Sequence, residues 1–261
     1  MKLTVIGAGP AYTNRPGAVG SSYLLTSGGT ALLLDLGQGA YANLAGTLEP
    51  STLSAIAISH LHPDHFIDLV PLRHYLRYEF EPPRRLTVLG PGALSERLDA
   101  LLDQPGFSAE SLEVSALSDG MVRDIGALRL EVRRVTHTDD SYAFRVSSSR
   151  VDGGGTVGSG EPGPGLVYSG DCGRAADLRP LIQPGDVLLS EVSFGLGPVP
   201  PGAFHLDAGD VGVLAAESGV SRILLTHLLS GRDRPATEAA ANRASGGLPT
   251  RLVDPLDQFE L

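Results

Sequence analysis

Residues 59–65 read Ser-His-Leu-His-Pro-Asp-His, and this heptapeptide holds three of the chain's seven histidines. Imidazole nitrogens and a carboxylate at that density are the donors of a metal site. His60 and His62, two apart in an extended segment, project to one side and can grip one ion. Pro63 then imposes a bend that lets Asp64 and His65 face a second ion. Nitrogen and oxygen donors without a thiolate pair suit an open catalytic zinc site better than a closed structural one.

Outward from the heptapeptide the same arrangement recurs. The strand-like run SAIAISH ends at His60, ALLLD at Asp35, LEVRRVTH at His137, LVYSGD at Asp171 and RILLTH at His227. One histidine at a strand end is ordinarily a surface residue. Several strand ends behaving alike gather their side chains along one sheet rim, where open α/β folds bind ligands. Asp171 has, in addition, two oxygens that can bridge a pair of cations.

The rest of the chain fits an α/β protein. It has 261 residues, 42% hydrophobic and 19% charged, enough for a full core, and reads as one domain over 1–261. KLTVIGAG, SSYLLTS and ALLLDLG read as strands, and a helix is expected from Phe66 through Leu76. GALSERLDALLD and DAGDVGVLAAESG read as helices, the second stopping at Gly219. Residues 147–165 are glycine-heavy and read as a flexible hairpin tip. The single cysteine, Cys172, excludes an internal disulfide. No apolar run has the length of a membrane span, and the N-terminus enters a strand at once, so a cytoplasmic location is expected. The net charge of -10 opposes a broad polyanion-binding face.

The order Asp35, HLHPDH, His137, SGD, LTH resembles the metallo-β-lactamase superfamily over almost the whole chain. The resemblance implies a four-layer αβ/βα sandwich with a dinuclear metal site at one edge. On that pattern His60, His62 and His137 hold the first metal. Asp64, His65 and His227 hold the second, Asp171 bridges, and Asp35 hydrogen-bonds a ligand. Two zinc ions per chain are implied, with manganese or iron(II) as substitutes.

NRPGAVGSSYLL at the start, and EVSF with FHLDAGDVGVLAAESGVSRILLTH at the end, resemble the ribonuclease Z-like phosphodiesterase branch. There a Glu and a His assist catalysis, and Glu191 and His205 match them. A histidine just before a helix, oriented by a carboxylate, can protonate a departing alkoxide. Ribonuclease Z proper carries a long basic arm that clamps tRNA, whereas here its place holds only the glycine-rich interval. The implied enzyme is a hydrolase of a small or short-nucleotide phosphodiester, with Asp64 orienting the attacking hydroxide. It would have no tRNA clamp and no membrane partner, and homodimers are common among the relatives. Hydrolysis of a lactone or other ester on the same metals, and a silent binding module of the same fold, are the alternatives. GAGP lacks the full dinucleotide fingerprint. Arg15 reads as a loop arginine, His74 as a surface or interface residue, and Cys172 as a buried inert thiol.

Overall fold

The computed structural model describes residues 1–15, 17–149 and 163–261; residues 150–162 of the expected hairpin tip lie outside the described residues. The first half of the chain runs β1 (Lys2–Gly7), β2 (Ser22–Ser27), β3 (Thr30–Leu34), α1 (Ala40–Thr47), β4 (Ala55–Ala57), α2 (Pro63–Phe66), α3 (Leu69–Tyr78), β5 (Leu86–Gly90), α4 (Leu94–Leu101) and β6 (Leu112–Ala116). The second half runs β7 (Val122–Ile125), β8 (Leu128–Arg134), β9 (Tyr142–Ser148), β10 (Leu166–Tyr168), β11 (Val187–Glu191), α5 (Ala208–Ser218), β12 (Arg222–Thr226), α6 (Arg234–Ala244), β13 (Thr250–Leu252) and β14 (Gln258–Glu260).

Among the described residues the strands form two seven-stranded sheets, ordered β14-β1-β2-β3-β4-β5-β6 and β13-β12-β11-β10-β9-β8-β7. Both sheets follow one pattern. Counting from β14 in the first and from β7 in the second, three antiparallel pairings precede three parallel ones.

Period-two alternation divides each strand's apolar residues between two cores. In β3, Leu32 and Leu34 face the seam between the sheets, while Ala31 and Leu33 face the helices. In β12, Leu224 faces the seam, while Ile223 and Leu225 face the opposite helical layer. Leu44, Leu72 and Leu98 bring α1, α3 and α4 onto the first sheet, and Val211, Leu214 and Ala241 bring α5 and α6 onto the second. The architecture is the expected αβ/βα sandwich. No helix among the described residues is long and apolar enough to cross a membrane.

Two local features depart from or refine the sequence reading. The single helix expected from Phe66 through Leu76 is broken at Asp68, giving α2 and α3. Asp68 accepts the backbone N–H of Tyr41 at 2.8 Å, which supplies an acceptor to the open N-terminus of α1. The helix ending at Gly219 forms as expected. Asp207 caps it by accepting the N–H groups of Gly209 and Asp210 at 2.9 and 3.0 Å, and Gly219 leaves it with φ 68°.

A buried ion pair fixes the second sheet. Arg145 of β9 meets Asp186 through bonds of 2.8 and 3.0 Å and reaches Glu131 at 2.8 Å. Asp186 also accepts the N–H groups of Gly165 and Gln183 at 2.7 and 2.9 Å, pinning the start of β10 to the turn before β11.

Candidate metal centre

Six of the seven histidines converge with Asp64 and Asp171 at one rim of the two sheets. Parallel register sets their positions. Leu34 of β3 lies beside Ala57 of β4, so Asp35, one residue past its strand, comes level with the chain leading to His60. Glu191 of β11 lies beside Thr226 of β12, so His227 emerges next to the loop that follows Glu191. His60, His137 and Asp171 each stand three residues beyond β4, β8 and β10, on the loops rather than on the strands themselves.

Asp35 and His227 both adopt φ 58°, a left-handed backbone that costs a non-glycine residue about 1–3 kcal/mol. Their hydrogen bonds hold them there. Asp35 accepts the Ser59 N–H at 2.6 Å, the Ser59 hydroxyl at 2.7 Å, the Tyr168 hydroxyl at 2.7 Å and His65 Nδ1–H at 2.8 Å. The His227 N–H donates to the Ala8 carbonyl at 3.1 Å. Gly37 matters for Asp64, because any Cβ at position 37 would overlap the Asp64 carbonyl.

Most of the histidines have one ring nitrogen tied to the protein. His60 Nδ1 donates to Ser59 Oγ at 3.1 Å, since the serine proton is given to Asp35. His65 Nδ1 is held by Asp35, and His137 Nδ1 by the Phe204 carbonyl at 2.7 Å. His227 Nδ1 donates to Ser193 Oγ at 3.0 Å. These bonds fix ring orientation and tautomer and leave each Nε2 facing the centre. His62, the exposed member, instead presents Nδ1, 3.2 Å from His137 Nε2.

Asp171 stands between two groups of donors. Its Oδ2 is 3.7 Å from His60 Nε2 and 3.6 Å from His137 Nε2. Its Oδ1 is 3.4 Å from His65 Nε2 and 3.6 Å from His227 Nε2. Asp64 Oδ2 closes the second group, 3.0 Å from His227 Nε2. His60 Nε2, Asp64 Oδ1 and Asp171 Oδ1 are buried yet make no hydrogen bond. Three orphaned polar atoms at one point would be costly in a site meant to stay empty, and they are lone pairs that a cation, or water held beside it, satisfies. The donor set therefore fits a metal site.

Electrostatics agree. Burial, reinforced by neighbouring His65, holds His60 well below the ordinary histidine range, so its lone pair is available. Burial alone would raise Asp171, but His227 and His65 outweigh it and keep the carboxyl ionised.

Beside this centre lies a second constellation. Glu191 is fully buried, and its Oε1 accepts His205 Nδ1–H at 3.0 Å and the N–H groups of Cys172 and Leu206 at 3.0 and 3.2 Å. Its Oε2 accepts the Ser193 N–H at 3.0 Å and hydroxyl at 2.5 Å. The imidazole of His205 is 22% exposed, and its Nδ1 lies 4.0 Å from Asp171 Oδ2.

Every residue expected at the site is thus brought to it. The sequence reading missed Ser59, Tyr168 and Ser193, the hydroxyls that connect the carboxylates to the histidines. Their signal was slight: Ser59 precedes His60, Tyr168 opens YSGD, and Ser193 stands two residues past Glu191 on the same side of an extended chain. Of the other residues weighed, Arg15 is engaged by Asp254 at 2.6 Å. Cys172 is buried, and burial pushes its thiol far up in pKa. His74 is half-buried on α3, with Nδ1 2.8 Å from the Val70 carbonyl.

Residues 31–228 match the beta-lactamase superfamily domain, and the chain belongs to the metallo-β-lactamase superfamily. Among its relatives, an uncharacterized protein of Mycobacterium tuberculosis is 30% identical over 234 residues, covering 87% of this chain and 81% of its own. YhfI of Bacillus subtilis, named a probable metallo-hydrolase, is 28% identical over 233 residues, 87% of each chain. Its crystal structure matches this fold with a TM-score of 0.83, covering 99% of each chain at 24% identity. Ribonuclease Z of Mycobacterium marinum is 25% identical over 270 residues, 94% of each chain. Fold and donor set are those of a metallo-hydrolase.

Proposed function

We propose that the protein is a dinuclear zinc hydrolase acting on a small or short-nucleotide phosphodiester. What supports this reading is the Glu191–His205 pair together with the likeness to ribonuclease Z. His205 lies close enough to Asp171 and His227 to form a third donor group, but its Nδ1 is taken by Glu191. Phosphodiester cleavage expels an alkoxide, which needs a proton, and an imidazole held by a buried carboxylate is built to deliver one.

His60, His62, His137 and Asp171 would hold one ion, and Asp64, His65, His227 and Asp171 the other, with Asp35 steadying His65. Bound zinc supplies Lewis acidity at phosphate oxygens and lowers the pKa of a coordinated water to about 7. Asp64 offers the unpaired Oδ1 as an acceptor that orients the attacking water. As the new P–O bond forms and the ester P–O bond breaks, His205 passes its proton to the departing oxygen. Burial acts to lower the pKa of His205, but the bond and charge of Glu191 outweigh it and raise it, favouring the protonated acid.

The relationship to ribonuclease Z supports phosphodiester chemistry. A clamp for tRNA finds no support, since only 149–165 joins β9 to β10 and the net charge is -10. Acyl hydrolysis of a lactone also expels an alkoxide that the pair could serve, so the likeness to ribonuclease Z is what favours the diester. Assay of the pure, zinc-loaded protein against a phosphodiester, a lactone and a lactam tests the reading. Turnover of the lactone or lactam alone would overturn it.

A further inference from the structure

We infer that Phe204 reads the substrate, its ring stacking on a nucleobase carried by the departing alcohol; the inference rests on the phosphodiester reading above. Of the seven phenylalanines, all among the described residues, Phe204 alone is strongly exposed, at 47%, whereas Phe66, Phe107 and Phe144 are buried. It is not a stray surface ring, because its backbone is the point where three loops of the site meet. Its carbonyl holds His137 Nδ1 at 2.7 Å. Its Cα and Cβ pack so tightly on Gly173, two residues past Asp171, that a Cβ there would come within 2.8 Å of both. The next residue is His205, whose proton marks the leaving-group side.

Consecutive Cα atoms are about 3.8 Å apart, so Phe204 is anchored one residue from the acid, and rotation about its side-chain bonds can bring its exposed ring to what the departing oxygen carries. The nearby donors are imidazoles and carboxylates, which suit the phosphate. The ring of Phe194, 6.0 Å from that of His205, is half-buried, so a fully presented flat apolar face has to come from elsewhere. Phe204 supplies that face. A chain of net charge -10 gains little from long-range attraction to a diester, and stacking contributes affinity without needing charge.

The test compares two dinucleoside monophosphates, one with adenine and one with an abasic sugar on the leaving side, on the zinc-loaded enzyme. Stacking on an aromatic side chain should favour the base-bearing substrate by on the order of tenfold to a hundredfold in kcat/KM, carried mainly in KM. Phe204→Ala should bring that ratio close to one. Phe204→Trp should restore it, and Phe204→Leu, apolar but not flat, should not. A ratio that survives in Phe204→Ala, or that leucine restores as well as tryptophan, overturns the assignment. Wild-type enzyme that cleaves both substrates equally overturns this inference alone. Wild-type enzyme that cleaves neither, nor an aryl phosphodiester, overturns the phosphodiester reading and the inference with it.

Discussion

Glu191 accepts the Nδ1 proton of His205 at 3.0 Å while its other oxygen takes the Ser193 hydroxyl at 2.5 Å. One buried carboxylate thus orients both the proposed acid and, through Ser193, the ring of His227. The acid role predicts a dependence on leaving group. An aryl phosphodiester departs as a stable phenolate, so His205→Ala should slow it modestly. A nucleoside diester departs as a basic alkoxide, and there the loss should approach about 10²–10⁴-fold. Equal losses on both substrates, measured by steady-state kinetics, would show that His205 positions substrate instead.

The same pair sets the pH profile. Burial lowers the pKa of His205, and Glu191 outweighs it, so the ring stays protonated above the ordinary histidine range. Turnover of an alkyl diester should fall as pH rises through that raised value. Glu191→Gln removes the raising charge, so the falling limb should move to lower pH. A limb that stays in place in Glu191→Gln belongs to another group.

Asp171 is the residue whose two oxygens face the two donor groups, and no histidine can replace it. Asp171→Ala should lose bound metal and activity together, and a chelator should abolish turnover of the wild-type protein. Metal analysis of the purified protein should find close to two ions per chain on the dinuclear reading. One ion or fewer with full activity would refute that reading.

Asp35 touches no site atom except through His65, Ser59 and Tyr168. Asp35→Asn should weaken metal affinity by roughly 10–100-fold, the usual cost of disturbing a ligand's hydrogen-bond partner. Tyr168→Phe, which removes one of the donors to Asp35, should act in the same direction and more weakly. Competition against a chelator of known affinity measures both.

Arg145 and Asp186 predict a change in stability with no part in the chemistry. Arg145→Ala leaves Asp186 as a buried charge without its partner, which costs roughly 3–5 kcal/mol. Denaturant unfolding should show that loss in the midpoint. Metal content of the protein that remains folded should equal that of wild type.

Much of the site was legible because its donors are chemically unusual and follow, within three residues, strands that are readable as apolar runs. His60, His137, Asp171 and His227 announce themselves in this way. The hydroxyls of Ser59, Tyr168 and Ser193 did not, because serine and tyrosine are common and only a folded neighbour gives them a partner. Strands β6 and β7 were missed because they lie at sheet edges and carry mostly exposed or half-exposed side chains, which erases the apolar run a strand is read from. The break at Asp68 was hidden for a different reason. Its cause is the N-terminus of α1, which precedes it by more than twenty residues in the chain.

Two of the three donor groups draw on both sheets: His60 and His62 meet His137 and Asp171, and Asp64 and His65 meet His227. An ion held there is a fastener across the seam, and its binding energy is shared with the docking of the two halves. By mass action, free metal at a hundredfold above Kd stabilises the joined state by about 2.7 kcal/mol. Amide exchange in the loops around Asp35, His60, Asp171 and His227 should therefore quicken on chelation, well before the outer helices loosen. Scarcity of metal would then be felt twice over, as a loss of chemistry and as a loosening of the rim where the two sheets meet above their shared core.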